Sequence, residues 1–207
     1  LRQYYQELEA SLDQGKTPAD LDKYGVMLFD CLNALEKQRE PLYQRVFSIA
    51  VLGGSKIFEE KLKSRVVSVL SRYHPEADDA MSEREILSLV YLEDYAQQLA
   101  IKGNLKIELE GKEIDYGDQV YGTVLTTDTL RYARILPDQS IRKIITVENK
   151  ANFVSTPYET DTLIVFSHGF FSPLECTFLR QLIGKIPDVE FFHTGDLDYG
   201  GIRIFRH

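Results

Sequence analysis

Three nearly continuous apolar stretches mark the last third of the chain: RKIITVEN, TLIVFSHG and DVEFFHTGDLD. Runs of this kind, apolar on both sides rather than alternating, predict strands of a parallel sheet covered on two faces. The intervening segments have helical character. SPLECTFLRQLIGKI sets Leu174, Phe178, Leu179 and Leu182 on one face, KANFVSTPYET reads as a short helix or loop, and YGGIRIF begins a further helix. Strand–helix alternation predicts a parallel α/β sheet from residue 141 onward.

Upstream the periodicity differs. Residues 1–12 and 18–39 carry helical spacing. Leu21, Leu28, Leu32 and Leu35 lie on one side, with Thr17 as expected N-cap and Pro18 at the first helical position. Val46–Leu52 reads as a short strand or buried segment, broken by Gly53-Gly54. Ser55 is then expected to cap a helix over 56–72 that buries Ile57, Leu62, Val66, Val69 and Leu70. Ser82 and Glu85 fit a capping box. LKIELEGKEIDYG alternates about an EGK turn and predicts a β-hairpin. TVLTTDTLRYARIL predicts a helix capped by Thr127 or Asp128. The resulting organisation is an N-terminal helical region (1–44), a winged-helix-like α+β region (45–140) and an α/β domain (141–207). No internal repeat or low-complexity tract interrupts it.

Charge narrows the choice of partners. The net charge of −8 argues against indiscriminate nucleic-acid binding. The charge is uneven, however: residues 55–73 hold five basic side chains against two acidic, a local basic face that can meet DNA. Two cysteines, Cys31 and Cys176, without a CxxC pattern, predict neither a disulfide framework nor a zinc site and fit a reducing cytoplasm. No apolar run approaches the roughly 18–20 residues of a membrane span, and no secretory signal is evident. The chain opens at Leu1 instead of methionine, which suggests a processed or excised segment.

The candidate chemistry gathers at the strand ends. Ligands of parallel α/β sheets sit beyond the carboxyl ends of the strands. The three predicted strands end in Glu148-Asn149, Ser167-His168, and Asp196 with Asp198. If the first and third strands are adjacent, three carboxylates converge, and like-charge repulsion makes a hard divalent cation the natural fourth member. An extended segment points Asp196 and Asp198 the same way, roughly 6.5–7 Å apart along the backbone. An aspartate after a strand serves equally as the N-cap of the next helix, so the pair alone leaves both roles open. His168 is a candidate to meet a phosphate or help proton transfer, with an ordinary loop histidine as the other reading. His193, inside the third strand, is expected to be packed. Lys150 and Lys56 are candidate phosphate contacts; the Gly-Gly-Ser-Lys around Lys56 does not make a P-loop.

ITVENKANF followed by HTGDLDYGGIRIF resembles a Toprim domain, the metal-binding fold shared by topoisomerases, primases and some nucleases. In that family a Glu after the first strand and a D-x-D after the third bind Mg²⁺, and Glu148, Asp196 and Asp198 stand at those positions. More closely, the V-E-N-x-x-x-F and G-D-[IL]-D-x-G-G-x-x-I-F elements are similar to those of the JetD nuclease subunits of Wadjet anti-plasmid systems. FSIAVLGGSKIFEEKLKSRV looks like that family's strand–GxSK–helix element. A Toprim domain normally extends well beyond the residues that follow Ile141, so the α/β segment is expected to be incomplete on its C-terminal side.

The resemblance implies an endonuclease subunit that uses Mg²⁺ or Mn²⁺ to hydrolyse DNA held by an SMC-type motor complex. Its expected partners are DNA, the motor subunits and a second copy of the chain, without a membrane. Related topoisomerase VI A subunits cleave with a tyrosine in a winged helix. None of the 12 tyrosines here stands in such a context, so attack by water follows better. Two alternatives stay open: a non-catalytic or autoinhibited module that docks DNA or partners, and a tyrosine-dependent cleaving subunit.

Overall fold

In the computed structural model, which describes residues 1–196 and 198–206, the leucine spacing near the N-terminus folds as helix, but Gly25 (φ +57°) cuts it in two. Helices α1 (Arg2–Asp13), α2 (Ala19–Tyr24) and α3 (Val26–Lys37) are followed by β1 (Leu42–Tyr43) and α4 (Gln44–Leu52). A π-helical turn, Phe58–Leu62, leads into α5 (Lys63–Tyr73); α6 (Glu83–Ser88) and β2 (Leu92–Glu93) complete this unit, Leu1–Tyr95. Leu28, Leu32 and Leu35 are buried against Phe47, Phe58, Leu62, Val66, Val69 and Leu70.

Several local expectations are corrected here. Val46–Leu52 is helical, not a strand, and Val46 and Ile49 point outward while Phe47 and Ser48 are buried. A short apolar run fits either element, and one-sided burial decides for helix. Ser55 is not the cap of the next helical segment. Ser48 takes that part: its Oγ accepts the Phe58 N–H at 3.0 Å and donates to the Gly54 carbonyl. Pro18 stands at the cap of α2 in place of Thr17, and Asp20 is held inside by the Tyr4 hydroxyl at 2.6 Å and the Arg65 guanidinium. The Ser82–Glu85 capping box forms as expected.

The second unit, Ala96–His207, contains β3 (Gln98–Lys102), β4 (Lys106–Leu109), β5 (Lys112–Asp115), β6 (Thr123–Thr126), α7 (Thr127–Tyr132) and β7 (Arg134–Ile135). Then follow β8 (Lys143–Val147), α8 (Lys150–Ser155), β9 (Thr162–Phe166), α9 (Pro173–Ile183), β10 (Glu190–Thr194) and α10 (Tyr199–Arg206). The predicted hairpin is β4–β5, turned at Glu110 (φ +52°) and Gly111 (φ +74°). The helices expected beside it in a winged-helix-like region, α4 to α6, fall in the first unit. Thr126, one residue earlier than expected, caps α7.

A mixed five-stranded sheet, ordered β10-β8-β9-β3-β6, organises this unit. The three predicted strands are its parallel part, while β3 and β6 extend it antiparallel. Side chains alternate across the sheet. Leu99, Ile101, Ile144, Leu163 and Val165 pack with Phe178 and Leu182 of α9, and each such fully buried side chain contributes roughly 1.5–3 kcal/mol. Val147 and Ile164 pack on the other face with Phe153 of α8. The sheet is therefore covered on both faces over β8 and β9, which is why those two strands read as nearly unbroken apolar runs, whereas β10 lies at the edge with Phe191 and Phe192 exposed.

Candidate functional site

The strand order puts β10 beside β8, and the register puts their carboxyl ends level: Thr194 pairs with Val147, and Val147 with Phe166. The ladder continues one step past the strands. Glu148 N–H donates to the Thr194 carbonyl at 2.9 Å, and Ser167 N–H to the Val147 carbonyl at 3.0 Å. Gly195, Glu148 and Ser167 thus lie abreast at the sheet's carboxyl edge. Glu148 shares its face with Thr146, and Thr146 pairs with His193 across the strands.

Local sequence explains why Glu148 sits there. Asn149 ends the strand by capping α8: its Oδ1 accepts the N–H groups of Ala151 at 2.9 Å and Asn152 at 3.2 Å. Phe153 drops from α8 onto the sheet. At the far end of α8, the buried Lys102 ammonium donates to the carbonyls of Phe153, Val154 and Thr156 at 2.8–2.9 Å. A cation there satisfies carbonyls that a helix C-terminus leaves without partners. The V-E-N-x-x-x-F element is a strand end, a candidate ligand, a cap and an anchor in succession.

The two aspartates are placed differently from each other. Asp198 is the N-terminal cap of α10: its Oδ1 accepts the Gly201 N–H at 2.8 Å and its carbonyl the Ile202 N–H at 3.1 Å. Asp196 is exposed, and its backbone lies against α10. The buried Gly201 explains the glycine pair: a Cβ there would lie 2.0 Å from the Asp196 carbonyl oxygen, whereas one at Gly200 would meet nothing closer than Asp198 Oδ1 at 3.4 Å. Leu197 lies outside the described residues. Among the described residues, no three His, Cys, Asp or Glu side chains come close enough to hold a metal ion.

Three polar atoms stand out at this edge. Among the described residues, Glu148 Oε2, Ser167 Oγ and His193 Nε2 are shut from solvent without a hydrogen-bond partner. Buried polar atoms are nearly always paired, so such atoms ask for a water or an ion. Glu148 Oε2 and His193 Nε2 approach the same point, lying 2.5 Å and 2.6 Å from where a Cβ on Gly195 would sit. The missing side chain leaves room between a carboxylate and an imidazole. His193 is half-buried, as expected of a packed strand residue, with its ring 5.5 Å from that of Phe205. Its nearness to Glu148 was beyond the sequence, because the register between the two strands is not written in either strand.

His168 is at the end of β9, in a left-handed conformation (φ +46°). Its Nε2 meets Glu175 Oε1 at 3.1 Å, and its ring stands between those of Phe166 and Phe171. Glu175 is buried and closes the capping box of α9 with Ser172. Lys150 opens α8, exposed, two residues past Glu148. Lys56 is exposed in the first unit, in the turn before Phe58.

Comparison with known proteins fits these elements. The family described as Wadjet protein JetD, C-terminal, matches residues 100–207. The chain belongs to this JetD family. Its match takes in the whole five-stranded sheet apart from the first residues of β3, together with every residue of the carboxyl edge described above. The chain is also 28% identical over 219 residues to the Wadjet protein JetD of Bacillus cereus (strain Q1). That alignment covers 100% of this chain and 51% of the relative, so the chain spans about half the length of the curated protein it matches. No helix among the described residues is long and apolar enough to cross a membrane.

Proposed function

We propose that this JetD-family chain carries the metal-binding part of a DNA endonuclease subunit, with a Toprim-like sheet at its centre, acting within an SMC-type plasmid-defence complex. The observation that carries the reading is the carboxyl edge itself. Glu148 ends one strand, the Asp196–Asp198 segment follows its immediate parallel neighbour, and Glu148 Oε2 is buried without a partner. A carboxylate oxygen left in that state fits a cation. Glu148, Asp196 and Asp198 would hold Mg²⁺ or Mn²⁺, hard ions that take oxygen donors.

A divalent ion so held supplies a Lewis acid for a phosphodiester oxygen and an acidified water. The chain's own residues do the positioning. The Glu148 N–H bond to Thr194 and the Asn149 cap fix the backbone that carries the first carboxylate. Asp198 accepts the helix-capping bond through Oδ1, and its other oxygen would be the one to meet a cation. Lys150, two residues past Glu148, and the basic 55–73 segment with Lys56 meet DNA phosphates. His168, held by Glu175, serves proton transfer at the same edge.

The test is cleavage of plasmid DNA by the full-length protein with its partner subunits, comparing wild type with Glu148→Ala and Asp196→Ala. Loss of cutting with retained folding and assembly is expected; unchanged cutting would sink the reading. A docking role has one observation in its favour. β10 is the sheet's edge, and Phe191 and Phe192 are 54% and 51% exposed. Edge strands invite pairing. Under that reading, Phe192→Ser weakens assembly with partner subunits while Asp196→Ala leaves DNA processing intact.

A further inference from the structure

The carboxyl edge holds a nitrogen donor as well as carboxylates. His193 Nδ1 is 2.8 Å from Thr146 Oγ1. The Thr146 hydroxyl also reaches the Phe192 carbonyl at 3.5 Å, a contact only its hydrogen can make. With that hydrogen given to Phe192, the hydroxyl's lone pair accepts Nδ1–H, and this tautomer leaves Nε2 as the unprotonated nitrogen. An imidazole held at one nitrogen so that the other offers a lone pair is the arrangement of metal-binding histidines. That nitrogen is buried and unpartnered, and it borders the same space over Gly195 that Glu148 Oε2 borders. Two acceptors facing one space, with no donor between them among the described residues, are reconciled by a cation.

We infer that His193 Nε2 is a ligand, together with Glu148, of the divalent ion in the proposed site, and that the site therefore favours Mn²⁺ over Mg²⁺. The inference rests on the metal-dependent reading above and adds the donor set. Imidazole nitrogen suits first-row transition ions, whereas Mg²⁺ prefers oxygen and retains its water. Gly195 is part of the site because a Cβ there would lie 2.5 Å from Glu148 Oε2 and 2.6 Å from His193 Nε2 and crowd both ligand atoms. Thr146 is a positioning residue that sets the tautomer.

The experiment loads the intact protein with Mn²⁺ alone and reads nitrogen coupling by pulsed electron paramagnetic resonance, with ¹⁵N-histidine labelling to assign it. Affinity is measured by calorimetry for Mn²⁺ and Mg²⁺. His193→Phe keeps a ring against Phe205 and removes the nitrogen. Gly195→Ala leaves the histidine and blocks the space. Expected are histidine-nitrogen coupling in wild type, its loss in His193→Phe, and Mn²⁺ affinity lower by about 10- to 100-fold in both variants, the range seen when ligand supports are removed. The Mn²⁺ to Mg²⁺ preference should shrink in His193→Phe. Mn²⁺ binding that depends on Glu148 but shows no nitrogen coupling would overturn the inference and leave the proposed function standing. No Mn²⁺ binding by wild type would overturn both.

Discussion

A methyl group added at Gly201 tests whether α10 sets the position of the Asp196 backbone. In the native structure the new Cβ would lie 2.0 Å from the Asp196 carbonyl oxygen and 3.0 Å from its carbon. Both atoms belong to backbone, so no side-chain rotation relieves the contact. Helix and strand-end loop must part by about 1 Å, a displacement that costs on the order of 100-fold where reacting groups are positioned. It is also about twice the ~0.5 Å within which a functional constellation must be held. Fold stability should change much less. Alanine is favoured over glycine in a helix by about 1 kcal/mol, against an overpacking cost of about 1–3 kcal/mol.

Gly200→Ala is the matched control, since its Cβ would meet Asp198 Oδ1 only at an ordinary 3.4 Å. Metal-supported plasmid cleavage by the two variants should therefore diverge by about two orders of magnitude and calorimetric Mn²⁺ affinity by about 10- to 100-fold, while their thermal midpoints stay within a few degrees of each other. Equal loss in both variants would refute the reasoning, because only one of them meets the Asp196 backbone. So would full Mn²⁺ affinity and cleavage in Gly201→Ala.

Lys102→Met should destabilise the second unit by about 2–4 kcal/mol, because three carbonyls lose a charged donor and the buried ammonium's own desolvation cost offsets part of that loss; urea unfolding of the variant measures it, and a change under 1 kcal/mol would mean the ammonium does not hold α8. His74 should make the first unit acid-sensitive. Burial holds its imidazole below the usual 6.5, and Nδ1 accepts the Glu76 N–H at 3.3 Å, a bond that needs the neutral ring. As pH falls below about 6.5 the unfolded chain binds the proton first, so the stability His74 contributes is whole above that pH and is lost through the lower, folded-state value. The thermal midpoint of wild type should drop more between about pH 7 and pH 5 than that of His74→Asn; parallel curves would show that His74 is not the sensor.

The strands and helices of the C-terminal unit were legible because burial on both faces leaves its trace in the chain. KIITV and TLIVF are largely apolar, since α8 and α9 cover opposite faces of the sheet they form, whereas the run ending at Thr194 is an edge strand whose Phe191 and Phe192 stay exposed. The Ser82–Glu85 box and the EGK turn were equally plain, because caps and turns are settled by atoms a few residues apart. Val46–Leu52 was misjudged for the converse reason: seven largely apolar residues carry too little periodicity to separate a buried strand from a helix with one face inward. Asp198 had two possible roles in the sequence, and the structure shows that it performs the capping role.

What the chain determined alone was therefore local: element type, capping, and which residues stand at strand ends. That Glu148 and the Asp196 segment share an edge depends on β10 pairing with β8 instead of β9, a choice made by packing between segments more than 40 residues apart. The addition of β3 and β6 to the same sheet, and the meeting of His193 with Glu148 over Gly195, are decided in the same way. Strand order and register come from long-range contacts that no single segment encodes, and the candidate site exists only once they are set.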